Sequence, residues 1–97
     1  MIWLAVLAMA ALGPTVTEVD RAREAPLEVR KFIVRRADCQ HWLGEEGYDA
    51  ARRAEIDRIV RRLKCDAVAR DEARLRDRYA GRPSLIEVLD LTEDGVD

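Results

Sequence analysis

A chain of 97 residues has room for one domain, near the lower size at which a single hydrophobic core outweighs chain entropy. Its 17 basic and 19 acidic residues leave a formal charge of −2, which argues against a polyanion-binding protein dominated by positive charge. No motif in it specifies a reaction, a cofactor or a nucleic-acid code, and the chain is read as a non-enzyme without a cofactor.

Residues 1–17 carry no charge, and every acidic and basic residue lies beyond them. The run "IWLAVLAMAAL" suits the apolar core of a secretory signal and falls short of the ~20 residues a membrane-spanning helix needs. Ala8 and Ala10 offer a small-residue cleavage pattern, although the segment opens "MIW" where a signal usually opens with Lys or Arg. Residues 1–17 are therefore expected to be a signal peptide or an N-terminal apolar segment. The protein is expected to be periplasmic or secreted, with no other membrane contact. In an oxidising compartment an even cysteine count in a small chain implies a bridge, and Cys39 with Cys65 is the one intramolecular pairing available.

Residues 18–26, closed by Pro26, are polar and aperiodic and read as a tether; Pro26 suits the first turn of the helix that follows. The helical domain spans 27–91. Val29, Phe32, Ile33 and Leu43 recur at roughly helical spacing, with Arg36 interrupting their face. Gly44 and Gly47 end this helix and Asp49 caps the next. Over 50–63 the residues Ile56, Ile59, Val60 and Leu63 form the cleanest apolar stripe in the chain. Cys65 lies off that stripe and lines up instead with Val68, Glu72, Leu75 and Tyr79, so a break falls at 64–66 and Asp66 is a candidate cap. Gly81 and Pro83 stop the third helix, and Ser84 with Glu87 suggests a capping box opening a short last helix through Leu85, Ile86, Val88 and Leu89. Residues 92–97 read as a frayed acidic tail.

The expected fold is all-α: a small bundle of three main helices plus a short C-terminal helix, with one disulfide and a core of Phe32, Ile56, Ile59, Val60, Leu63, Leu75 and Tyr79. Helix 50–63 would be about 23 Å long, so a simple antiparallel hairpin leaves Cys39 far from Cys65. Either the first helix crosses the others steeply, or "QHWLGEEGY" runs back along the second as a strap.

The stretch "DCQHWLGEEGYD" holds the chemistry-bearing residues. Cys39, His41, Glu45, Glu46 and Asp49 are a poor match to the constrained four-ligand spacing of zinc, and a bridged Cys39 is neither ligand nor nucleophile. Adjacent Glu45 and Glu46 beside glycine read as solvated loop acids. Glu72, set in an apolar face, calls for a cationic partner. Residues 50–82 contain 11 bases against 6 acids, but the acids are interleaved and no aromatic stacking face accompanies them, so no nucleic acid is expected.

"LKCDAVARDEARLRDRYAGRP" resembles part of the small exported domains named after the LprI-type lysozyme inhibitor. There a cysteine precedes a helix bearing an acid, a hydrophobe and a tyrosine, in the order of Cys65, Glu72, Leu75 and Tyr79. The stretch resembles more closely short uncharacterised exported bacterial proteins with a Cys, a downstream Gly-Glu-Glu and a second Cys, and no function travels with that likeness. The inhibitor resemblance implies a contact surface rather than a catalytic residue, for which Trp42, Glu45, Glu46 and Asp49 are the candidates. An envelope protein such as a cationic lysozyme is the candidate partner. The alternatives are a structural envelope protein with no specific ligand and a cytosolic metal-binding regulator.

Overall fold

The computed structural model describes residues 22–95. Its elements are α1 (Leu27–Leu43), α2 (Ala50–Arg62), a 3-10 turn (Cys65–Ala67), α3 (Val68–Arg78) and α4 (Pro83–Leu91), and no strand occurs among the described residues. The fold is all-α, and a disulfide joins Cys39 to Cys65 with their Cα atoms 5.5 Å apart. The signal segment expected over 1–17 lies outside the described residues. Among the described residues no helix is long and apolar enough to cross a membrane.

Pro26 stands just outside α1 in an extended conformation (ψ 147°), its carbonyl accepting from the Val29 and Arg30 amides. The packed region begins earlier than the tether reading allowed. Ala25 is buried in the core and Ala22 packs against it, because small side chains there fit under the first turn of α1. At the other end the first residues of the acidic tail, Thr92 and Glu93, are anchored rather than frayed. Thr92 is buried, its hydroxyl bonded to the Val88 carbonyl, and the Glu93 carbonyl accepts from Gln40 Nε2 at 2.6 Å.

The core joins Val29, Phe32 and Ile33 of α1 to Leu75 of α3 and Leu85, Val88 and Leu89 of α4, with Val68, Tyr79 and Ile86 at its margin. The short last helix thus supplies more of the buried interior than the regular stripe of α2. Ile56, Ile59, Val60 and Leu63 are only half-buried, and no residue of α2 is fully buried. Their periodicity correctly announced a helix, but one lying on the side of the bundle with a single partially covered face. In fact no residue from 40 to 64 is buried, so the core lies wholly outside the ring that the disulfide closes.

Two expected caps are absent. Asp66 does not cap α3, which instead follows the 3-10 turn, and no side chain bonds its N-terminus. Ser84 lies within α4, because Pro83 opens that helix rather than merely stopping α3. A proline at the first position, where its missing N–H costs nothing, replaces the capping box.

The expected partner of Glu72 is Arg36, the residue that interrupted the α1 face. The Arg36 side chain is only 4% exposed. Nη1 meets Glu72 Oε1 at 2.6 Å, while Nη2 donates to the Leu89 carbonyl and to Thr92 Oγ1, each at 2.9 Å. Leu89 is in the last turn of α4, where carbonyls lack helical partners and a cation is favoured by the helix dipole. Glu72 also accepts from Arg76, which reaches Asp90 of α4 at 2.8 Å. Burial pushes the Glu72 carboxyl up, but the hydrogen bonds from Arg36 and Arg76 outweigh it and hold the carboxyl below the usual glutamate range.

Removing Glu72 leaves Arg36 charged and nearly dry, so Glu72→Ala should destabilise by about 2 to 3 kcal/mol, somewhat under the range for fully buried pairs because Glu72 keeps some solvent contact. Glu55→Ala, at a half-exposed i,i+3 pair with Arg52, should cost less than about 1 kcal/mol. Urea denaturation of the two variants provides the comparison, and equal small effects would contradict the buried pair. Because the native carboxyl lies below its unfolded value, its contribution is complete above the ordinary glutamate range and is lost as pH falls through the native value. Glu72→Gln should therefore flatten the acid limb of stability against pH.

Candidate functional site

The dodecapeptide "DCQHWLGEEGYD" divides between two structures. Asp38 through Leu43 are the last turns of α1, and only residues 44–49 form a loop. The strap layout is thereby excluded. The chain reaches Cys65 because α2 runs back beside the C-terminal turns of α1 and then reverses sharply at Lys64, which takes the left-handed conformation (φ 54°). Arg35 holds that reversal. Its Nε donates to the Leu63 carbonyl at 2.5 Å, Nη2 to the Lys64 carbonyl at 2.7 Å and Nη1 to Asp71 at 2.8 Å. The hydrogen bond from Arg35 keeps the Asp71 carboxyl below the usual aspartate range.

The loop closes around Arg52, a residue the sequence reading passed over. Its guanidinium lies over the Trp42 ring at 5.3 Å, donates to Glu55 at 2.9 Å and approaches Glu45 at 3.4 Å. Glu45 in turn faces His41 Nε2 at 3.2 Å, and the His41 ring stands edge-on to Trp42. Asp49 is the expected N-cap of α2: its Oδ1 accepts from the Arg52 amide at 2.7 Å. Gly47 has a steric role, since a Cβ there would stand 2.2 Å from Arg53 Cγ, and Arg53 donates to the Gly47 carbonyl.

Three of the four candidate contact residues are therefore occupied inside the loop. Trp42 is half-buried against Arg52 and is not part of the core. Glu45 and Asp49 hold the clasp. Glu46 alone faces solvent without a partner, and Tyr48, 76% exposed, stands beside it with Leu43 also exposed at the end of α1. Leu43, read on the same apolar face as Val29, Phe32 and Ile33, is exposed because α1 outruns the core beyond Cys39, and Tyr48 did not stand out in the sequence. With Cys39 in the disulfide, no group of three or more His, Cys, Asp or Glu stands together to hold a metal ion among the described residues. The residues carrying the inhibitor resemblance are structural in this arrangement: Cys65 is bridged, Glu72 paired and Leu75 buried. Tyr79 donates a short hydrogen bond to Glu28, whose carboxyl this bond and Arg78 hold below its usual range.

No protein-family model, curated protein or solved structure matches the chain. Its class is thus defined by its own geometry, as an all-α domain carrying a disulfide-closed excursion outside its core.

Arg52→Ala should cost about 1 to 2 kcal/mol through loss of the partly desolvated contact with Trp42 and its two carboxylates. Arg58→Ala, at an exposed position, should stay within about 0.5 kcal/mol of wild type. Equal effects in chemical denaturation would show that the clasp contributes nothing.

Proposed function

We propose that this is a small exported interaction protein without enzymatic activity, whose contact surface is the loop at the junction of α1 and α2. The observation that carries this reading is that no residue from 40 to 64 is buried, although a disulfide fixes both ends of the segment. Chain that adds little to the interior is retained for what it displays. The clasp around Arg52 and the cap at Asp49 hold the loop in one conformation before any partner arrives, which reduces the ordering cost of association. What it presents is the exposed aromatic Tyr48, of the kind that anchors protein interfaces, together with the exposed Leu43 and Glu46. Trp42, Glu45 and Asp49 serve this surface by holding the loop through Arg52.

A disulfide in so small a chain fits an oxidising compartment, in keeping with a periplasmic or secreted location. The resemblance of the Cys65–Tyr79 stretch to lysozyme inhibitors makes a cationic lysozyme the first partner to test, with Glu46 as the unpaired acid that would meet it.

Calorimetric titration with a purified lysozyme should show binding that drops at least about tenfold in the Tyr48→Ala, Glu46→Gln variant, with unchanged helical circular dichroism. Lack of binding by the wild-type protein would remove the inhibitor reading and leave a structural envelope role in its place.

A further inference from the structure

A second surface shares no residue with the Tyr48 loop. Two adjoining hollows of about 700 and 400 Å³ run between α1, α3 and the reversal after α2, sharing Lys31, Arg35 and Asp71 as a common wall. Together they are lined by seven cations and three carboxylates, in a chain whose overall charge is −2. Positive charge is thus gathered here while the remainder of the molecule is acidic.

The structure shows which of these charges are already used. Arg35 is taken by Asp71 and the Leu63 and Lys64 carbonyls, Arg78 by Glu28, and Arg30 gives its Nε to the Ala25 carbonyl. Lys31, Arg62, Lys64 and Arg74 have no carboxylate partner among the described residues. Between the cations the wider hollow is apolar, with Val34 59% exposed and Leu63 half-buried in its wall. Asp38 is its single unpaired acid.

We infer that this groove docks an acidic peptide segment bearing aliphatic side chains, supplied by a partner protein. Four cations without counter-charges around a recess attract carboxylates from a distance and orient them. The exposed valine gives an aliphatic side chain a place to leave water. A nucleic-acid strand fits less well, because no exposed aromatic lines either hollow for base stacking. A bilayer fits less well too, since Val34 and Leu63 are the only aliphatic side chains in the wider hollow, too little apolar surface to insert. This surface is separate from the Tyr48 loop, so either site can fail its test while the other stands.

The test uses the whole protein and a fluorescent peptide of alternating Glu and Leu, with anisotropy read at low and high salt. Binding should occur at low salt and weaken steeply as salt rises. The Lys31→Ala, Arg62→Ala, Lys64→Ala variant should bind at least about tenfold more weakly, with unchanged circular dichroism since none of these side chains holds the fold together. Asp38→Asn, which removes the one opposing charge, should bind more tightly. Equal binding of a Lys and Leu peptide, indifference to both variants, or tighter variant-sensitive binding to anionic phospholipid vesicles or to single-stranded DNA would each overturn the assignment.

Discussion

The arrangement of the three core helices turns on one buried guanidinium. Arg36 sits on α1, the central helix, and its three hydrogen bonds run to Glu72 on α3, to the Leu89 carbonyl at the end of α4 and to Thr92 just beyond it. An arginine suits this position because its planar fork can serve a carboxylate and a helix end together, while its flat face lies over the Phe32 ring at 5.3 Å. Burying such a charge gains little over a well-packed hydrophobe of the same size, so its value lies in specification. Only one placement of α4 brings a carbonyl-rich terminus to Arg36, and only one rotation of α3 brings Glu72.

The neighbouring residue repeats this on the other side of α1. Arg35 and Arg36 are consecutive, as are Asp71 and Glu72, and they pair in order. Consecutive helical residues point about 100° apart, so one pair lies towards the core while the other lies towards α2. A one-residue slip of α1 along α3 would break both pairs at once and strand a dry cation. Register between the two helices is thereby fixed by charge, and the aliphatic contacts of Leu75 and Val29 fill in around it.

Which parts of this were legible in the sequence follows from the range of the forces involved. Helix starts and stops depend on local signals, and those at Asp49, Gly44 and the 64–66 break could be read from the chain. The two misfit charges, Arg36 and Glu72, each implied a partner, and the disulfide followed from cysteine arithmetic. Periodicity could not reveal how deeply each face is covered. The stripe of α2 is the more regular and the run in α4 is short, and their burial is decided by which helix meets α1 on its Val29, Phe32 and Ile33 face. The loop was similarly half legible. Its acids and tryptophan were visible, but the cation that engages them sits a turn into α2, where Arg52 is one arginine among many.

The ring closed by Cys39 and Cys65 also separates two kinds of evolutionary freedom. Its ends meet with Cα atoms 5.5 Å apart, and among the described residues everything buried lies on the far side of that junction, from Ala25 to Arg36 and from Leu75 to Thr92, apart from Cys39 itself. To the three core helices, the ring is an appendage tied at the disulfide, by Arg35 to the Leu63 and Lys64 carbonyls and by Gln40 to the Glu93 carbonyl. Residues within it can change in length or character without moving a core side chain, provided the two sulfurs still meet and Arg35 still finds its carbonyls. The fold thus keeps a packed frame apart from a segment that packs little, and a cut made by a protease anywhere inside the ring leaves both fragments covalently joined.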